Sequence, residues 1–237
     1  MLCVIWLFPI GFTACSKDSL WCSTAYWITE SSGKWGTALI ILAASFLFII
    51  WLQEKKGITF LKSILAFSIL LGTFAFVNEN VTKKILKLPL PCQTYMASQC
   101  GTAVKMDSIC SLGESVRKSF FEQLVKSNPS GFNNIDQKVL NHWMQEAGYS
   151  FPSGHSFNAF LLACILAFSM YESKNKIAKQ LYILPFFWAA TVCVSRVAIG
   201  AHSPVDVSFG AGLGLLIAEL CLYFDYSRKL ILHKQTQ

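Results

Sequence analysis

Long apolar stretches alternate with polar segments along this chain of 237 residues. Residues 37–51 contain no charged side chain, and residues 58–77 contain a single lysine near their start. A helix needs about 20 apolar residues to cross the hydrocarbon core of a bilayer, and these stretches reach that length with their flanks. The pattern predicts six transmembrane helices. The candidate spans are residues 1–15, 37–51, 58–77, 156–171, 181–194 and 207–224.

The composition supports this membrane interpretation. Hydrophobic residues make up 54% of the chain and charged residues 14%, whereas a soluble domain needs more charge to cover its surface. A soluble helical bundle is the alternative interpretation. We expect an all-α bundle of six transmembrane spans that forms one domain over residues 1–237. Residues 1–15 faintly resemble a lipoprotein leader, but they lack the positive start of a signal peptide, so we expect them to remain as the first span.

The lysines and arginines predict the orientation, because cytoplasmic loops of membrane proteins are enriched in them. The segments after spans two, four and six are basic, whereas the first loop holds only Lys17 and Lys34. Both termini are then cytoplasmic, and residues 78–153 lie outside as an insertion between spans three and four. The net charge of +7 partly reflects this bias, and no basic patch with interleaved aromatic residues indicates a nucleic-acid partner.

The external insertion is too long for a plain connection and is expected to fold. Ser111 and Glu114 fit a capping box before one amphipathic helix, and Asn134 is positioned to cap a second. These helices either pack as structural elements or cover a site. Their apolar faces are Phe120, Phe121, Leu124 and Val125 in the first, and Ile135, Val139, Leu140 and Trp143 in the second.

Nine cysteines are present, and one of them, Cys15, ends the first predicted span. Four others lie within the apolar spans and are expected to pack as small hydrophobic residues: Cys3, Cys164, Cys193 and Cys221. Cys22, Cys92, Cys100 and Cys110 fall in external segments, where a periplasm permits disulfides, but the sequence leaves their pairing open. Their spacing does not match a zinc site, and we expect no metal.

Three short stretches meet at the outer face in this topology: KKILKLPLP at 83–91, FPSGHSF at 151–157 and SRVAIGAHSPVD at 195–206. In the third, Ser203 and Asp206 predict a helix start, which leaves His202 and Arg196 unexplained. An ionisable residue in a membrane segment indicates function. The same turn brings Asp206 towards His202, where a carboxylate orients the imidazole and makes it more nucleophilic.

The stretch FPSGHSF reads both as a helix start and as an anion site. Ser153 is positioned to cap the helix, and its first N–H groups, with Gly154, attract a phosphate. His155 beside them is suited to protonate a leaving oxygen. Arg196 and Lys83 supply positive charge for the phosphoryl oxygens, although Lys83 in KKILK also reads as an interfacial lysine.

The spacing of PSGH and S-R-x5-H-x3-D resembles the second and third motifs of the type 2 phosphatidic acid phosphatase superfamily. Residues 26–36 and 142–149 also resemble bacterial members. The resemblance implies six spans, an outward-facing site in the bacterial inner membrane, no cofactor, and His202 as a nucleophile that forms a phosphohistidine. It also implies that Asp206 orients His202 and that His155 is the acid. The residues implied to hold the phosphoryl oxygens are Lys83, Ser153, Gly154 and Arg196.

The substrates that this resemblance implies are phosphatidylglycerophosphate, phosphatidic acid and undecaprenyl diphosphate in the bilayer. A lipid A phosphatase or a lipid phosphotransferase would use the same chemistry.

The chain departs from the family at one position of the first motif. That motif is K-x6-R-P, and Leu90 stands here in place of its arginine. Two other hypotheses remain, an anion transporter and a lipid-binding module without catalytic activity.

Overall fold

The computed structural model of the chain describes residues 15–52, 57–99, 106–146 and 149–234. Within these ranges the regular structure is helical, and the extended backbone is limited to two isolated β-bridges, Ser16 with Ile135 and Pro89 with Tyr149. The all-α prediction is therefore confirmed. Of the first predicted span, residues 1–14 lie outside the described residues.

The described ranges form twelve α-helices, with a π-helical turn at Asn78–Thr82 and a 3-10 turn at Pro129–Phe132. The helices are α1 Leu20–Ser31, α2 Lys34–Leu52, α3 Gly57–Val77, α4 Lys83–Leu86, α5 Pro91–Gln99, α6 Met106–Cys110, α7 Glu114–Ser127, α8 Gln137–Gln145, α9 Gly154–Glu172, α10 Lys176–Leu181, α11 Leu184–Ala198 and α12 Pro204–Lys234.

Helices long and apolar enough to cross a membrane coincide with the predicted spans. Four such segments occur among the described residues, at Phe60–Leu86, Gly154–Glu172, Lys176–Ala198 and Pro204–Phe224. Gly36–Leu47 within α2 is apolar but shorter. The multi-pass organisation is thus confirmed, and the number of six spans stays a prediction.

The bundle is centred on α9, which packs against α12, α11 and α2. Two glycines of α12 allow its backbone to lie against that of α9. A Cβ atom added at Gly210 would lie 2.3 Å from the Ser153 carbonyl oxygen, and one at Gly214 would lie 2.4 Å from the Phe157 carbonyl oxygen. Small residues let helices approach closely in membranes, where tight packing replaces the hydrophobic drive of water.

Helices α7 and α8, which lie in the predicted insertion, pack around an apolar cluster that includes Phe121, Leu124 and Trp143. The predicted apolar faces are confirmed, but both predicted caps are wrong. Helix α7 begins after Gly113, and the Ser111 hydroxyl instead donates to the Ser108 carbonyl oxygen at 2.9 Å.

The start of α8 differs in a similar way. Asp136 caps the helix, and its carboxylate accepts from the Lys138 N–H at 2.8 Å. Asn134 is not available as a cap because its backbone is paired with the segment before α1, where its carbonyl oxygen accepts from the Lys17 N–H at 2.7 Å.

Helix α1 lies in a segment that the sequence indicated only as a loop, and a disulfide joins its first turn to Cys15. The partner of Cys22 is therefore not one of the other three external cysteines considered from the sequence. Cys92 is buried without a disulfide, the Cys110 thiol donates to Gln93 Oε1 at 3.7 Å, and Cys100 lies outside the described residues.

The glycine contacts predict a position-specific loss of stability. We expect Gly210→Ala and Gly214→Ala each to cost about 1–3 kcal/mol, because a backbone carbonyl occupies the place of the new methyl group. Gly212→Ala in the same helix is the matched control, since a Cβ there meets nothing within 4 Å. Thermal unfolding in detergent measures the difference, and equal Tm values for all three variants would contradict this account of the α9–α12 contact.

Candidate active site

The guanidinium of Arg196, in the last turn of α11, has no exposed surface. Its two terminal nitrogens contact the end of α8 in the insertion. Nη1 lies 2.8 Å from His142 Nε2, and Nη2 donates to Glu146 Oε1. A charge buried at the end of an apolar helix is thus compensated by a segment distant in sequence.

His142 lies between two carboxylates. Its Nδ1 is 3.0 Å from Glu30 Oε1 at the end of α1, and its Nε2 is 2.7 Å from Glu146 Oε1. Burial alone would lower the pKa of His142, but hydrogen bonds to Glu146 and Glu30 raise it above its ordinary value. The four side chains form a continuous network from α1 to α11.

The two carboxylates of the network are held ionised. Burial alone would raise the pKa of Glu146, but the positive charge of Arg196 and the hydrogen bond with His142 hold it well below its ordinary value. The hydrogen bond with His142 lowers the pKa of Glu30, which is only partly buried. Both glutamates therefore carry negative charge at neutral pH.

Helix α9 begins at the predicted position. The buried Ser153 is its N-cap, and the Ser153 hydroxyl oxygen accepts from the N–H of Ser156 at 3.4 Å and lies 3.1 Å from the Ser156 hydroxyl. A Cβ at Gly154 would meet only Asn78 Nδ2, at the ordinary distance of 3.6 Å, so crowding does not explain this glycine. His155 follows in the first turn and is partly exposed.

Helix α12 begins with the capping box predicted from its sequence. The Asp206 N–H donates to Ser203 Oγ at 3.1 Å, and the Ser203 N–H donates to Asp206 Oδ2 at 2.7 Å. The same carboxylate oxygen lies 3.6 Å from Nδ1 of His202. This is within ion-pair range but longer than a hydrogen bond, and Nδ1 has no other hydrogen-bond partner among the described residues.

His202 is buried at 2% exposure between these groups. Burial and the positive charge of Arg196 lower the pKa of His202 to about 4, against the opposing effect of Asp206. The imidazole is therefore neutral at physiological pH and keeps the lone pair that a nucleophile needs.

The two helix starts are joined directly. The Ser153 N–H donates to the Asp206 carbonyl oxygen at 3.0 Å, and the Ser150 hydroxyl lies 3.5 Å from Asp206 Oδ1. His155 is within electrostatic range of both Arg196 and His202. The structure thus brings the second and third sequence stretches together at one face of the bundle.

Lys83 is connected less directly. It is buried at 5% exposure, and its Nζ lies 2.6 Å from Glu79 Oε1. Its segment flanks the FPSGHSF stretch, since Asn78 Nδ2 donates to the Pro152 carbonyl oxygen at 3.3 Å and the Ser150 N–H donates to the Leu88 carbonyl oxygen at 2.7 Å. A phosphate-binding role for Lys83 stays a prediction.

Leu90 does not face solvent. It is 1% exposed and belongs to the apolar cluster of the insertion with Trp143 and Met96. The position where the family motif has an arginine is therefore part of the packing that holds α5 against α8.

The sequence analysis assigned no role to Glu30, His142 or Glu146. A local signal existed for two of them, because His142 and Glu146 are four residues apart and therefore share one side of a helix. Glu30 offered no such signal, since its partner is 112 positions away.

Known proteins resemble this chain over most of its length. The model of the PAP2 superfamily matches residues 59–229. Phosphatidylglycerophosphatase B of Bacillus subtilis (strain 168) is 35% identical over 111 residues, covering 40% of this chain and 54% of that protein. The protein of the same name from Escherichia coli (strain K12) is 28% identical over 185 residues, covering 77% of this chain and 68% of that protein.

Two further similarities are more distant. Lipid phosphate phosphatase 2 of Arabidopsis thaliana is 32% identical over 131 residues, covering 51% of this chain and 45% of that protein. The crystal structure of a transmembrane PAP2 type phosphatidylglycerolphosphate phosphatase from Bacillus subtilis covers 95% of this chain and 96% of that one, at 20% identity and a TM-score of 0.33. This TM-score is too low to support an argument.

The match to this chain spans about half of the Bacillus phosphatidylglycerophosphatase B, so the similarity does not by itself transfer the activity of that protein. The family model, in contrast, covers more than half of this chain and includes every predicted site residue. The resemblance indicated by the motifs is confirmed, and the chain belongs to the PAP2 superfamily.

Proposed function

We propose that this chain is an integral membrane phosphatase that removes phosphate from a lipid phosphate or diphosphate through a phosphohistidine intermediate. The observation that carries the proposal is the buried imidazole of His202, which is neutral at physiological pH and faces the Asp206 carboxylate within electrostatic range of Arg196. A neutral imidazole in this position is suited to attack phosphorus, which neither an anion transporter nor a lipid-binding module requires.

In the first step, the His202 Nε2 lone pair attacks phosphorus, because Nδ1 faces Asp206. The bond from phosphorus to the lipid oxygen breaks as the P–N bond forms, and His155 gives its proton to the leaving oxygen. Asp206 stabilises the positive charge that His202 gains. Its carboxylate is fixed in place by the Ser203 N–H.

In the second step, neutral His155 takes a proton from a water molecule that attacks phosphorus. The P–N bond breaks, phosphate leaves, and His202 returns to its neutral form. During both steps the phosphoryl oxygens gain charge, which Arg196, the Ser153 hydroxyl and the Gly154 N–H at the start of α9 stabilise. Lys83 adds a positive charge from the neighbouring segment. No cofactor takes part in this scheme.

The substrate is a membrane lipid with a phosphate headgroup in the outer leaflet. Phosphatidylglycerophosphate, phosphatidic acid and undecaprenyl diphosphate are the candidates, and the names of the bacterial relatives support the first. A lipid A phosphatase or lipid phosphotransferase would differ only in substrate or in the acceptor of the second step. We place the site at the periplasmic face of the bacterial inner membrane, with residues 78–153 as an external insertion in one domain of six spans.

Removal of either catalytic histidine tests the mechanism. We expect His202→Ala to lower kcat/KM for a short-chain phosphatidic acid by about a thousandfold or more, and His155→Ala by about a hundredfold or more. Phosphate release by purified protein measures both effects, and Asn141→Ala, exposed on α8, is the control.

A trapped intermediate separates the roles of the two histidines. Wild type should retain an acid-labile, alkali-stable phosphoryl group during turnover, and His202→Ala should not. A wild type that releases no phosphate from a panel of lipid phosphates and diphosphates would overturn the proposed function.

The pKa of His202 predicts an acid limit for activity. Because protonation removes the attacking lone pair, kcat/KM should fall as the pH drops towards about 4. Asp206 raises the pKa of His202, so Asp206→Asn should move this acid limb to lower pH, independently of any ionisation of the substrate. An acid limb at the same pH in wild type and Asp206→Asn would show that a group other than His202 controls the loss of activity.

The disulfide predicts the compartment of the external segment, because such bonds persist on the oxidising side of the membrane. Cells are lysed directly into denaturant that contains an alkylating reagent, so that every free thiol is modified. Cys15 and Cys22 should then be recovered linked and unmodified. Cys92, a buried thiol, is the internal control and should be alkylated. Recovery of Cys15 and Cys22 as alkylated thiols in the mass spectrum would contradict the periplasmic placement.

A further inference from the structure

One ring nitrogen in the network lies between a donor and an acceptor. His142 Nε2 is 2.8 Å from Nη1 of Arg196, which only donates, and 2.7 Å from Oε1 of the ionised Glu146, which only accepts. A ring nitrogen either carries a proton or offers a lone pair. It therefore makes one of these two hydrogen bonds at a time, and its proton decides which.

The two protonation states of His142 leave Arg196 with different numbers of open N–H donors. When His142 is protonated, Nε2 donates to Glu146, and Arg196 Nη1 has no acceptor on the ring. When His142 is neutral with its proton on Nδ1, that proton is donated to Glu30, and Nε2 accepts from Nη1. The neutral ring therefore accepts a hydrogen bond from an Nη1 N–H that stays open when the ring is charged.

We propose that His142 is a positioning residue that controls how many N–H donors Arg196 offers to the phosphoryl group. The inference rests on the proposed function, in which Arg196 binds the phosphoryl oxygens. With His142 charged, the Nη1 N–H that faces the ring is available to the substrate. With His142 neutral, that N–H is donated to Nε2, and the substrate loses a charge-assisted hydrogen bond.

The ionisable groups around His142 favour the charged ring. Glu30 and Tyr26 face it from α1, Glu146 from the end of its own helix, Arg196 from α11, and His155 from α9. The two carboxylates outweigh burial and Arg196, so that the pKa of His142 is raised. Arg196 therefore has this Nη1 N–H free for a ligand at neutral pH and loses it as the pH rises through the raised pKa of His142.

Binding of sulfate at different pH values tests this inference without turnover. Sulfate does not titrate in the relevant range, and its affinity does not require His155 as an acid. We expect the wild-type affinity to fall by about tenfold on the alkaline side, when one hydrogen bond to a charged group is lost. Glu30→Gln should move that fall to lower pH by about 1 unit, because it removes one of the carboxylates that favour the charged ring.

Glu122→Gln on α7 is the matched control, since it neutralises a more exposed carboxylate paired with Lys118. Its sulfate profile should superimpose on that of wild type. An unchanged profile in Glu30→Gln, or a wild-type affinity that does not fall with pH, would overturn the inference.

If Glu30→Gln lowers the Tm, His142→Gln decides the question, because its side chain carries no titratable proton. Its sulfate affinity should lack the alkaline fall, and a retained fall would overturn the inference. The KM for a short-chain lipid phosphate should follow the sulfate profile, with kcat less affected. A protein that binds sulfate as expected but releases no phosphate from any lipid would overturn the proposed function alone.

Discussion

The burial of the Arg196 guanidinium is the constraint on which the packing around the candidate site depends. A permanent positive charge with no exposed surface needs a counter-charge and hydrogen-bond acceptors inside the protein. Among the described residues, Glu146 and His142 meet this need from the end of α8, and Glu30 joins from the end of α1. The contact of α8 with α11 is therefore held by an electrostatic requirement.

Helix capping and the proposed chemistry use the same bonds. Asp206 closes the capping box with Ser203, faces His202 with the same carboxylate oxygen, and accepts from the Ser153 N–H with its backbone oxygen. One residue thus fixes the start of α12, the orientation of an imidazole and the position of the α9 start. Local folding and site geometry cannot be changed independently here, because a displaced cap also displaces the reacting groups.

The features predicted correctly from the sequence are those with a local cause. Long uncharged apolar stretches mark the spans, and the box from Ser203 to Asp206 marks a helix start within four residues. The network around Arg196 could not be predicted in this way, because its contacts join residues 50, 54 and 112 positions apart. The prediction of Asn134 as a cap was wrong for a related reason. Its carbonyl oxygen accepts from the N–H of Lys17, which is distant in sequence, and so is not available to a helix.

The departure at Leu90 is consistent with the charge balance of the site. Each of the two proposed phosphate-binding cations already has a carboxylate partner, Lys83 with Glu79 and Arg196 with Glu146. A further guanidinium at position 90 would enter an apolar cluster and would need a counter-charge of its own.

With leucine there, each of these two cations is paired with a carboxylate before a substrate arrives, so a phosphate must compete with Glu146 for Arg196. Competition of this kind weakens ground-state binding of the anion. The Gly154 N–H and the Ser153 hydroxyl at the start of α9 then carry a larger share of the binding, because neither donates to a carboxylate among the described residues. The chemistry of the site therefore depends more on the orientation of the α9 start than in a site with an additional arginine.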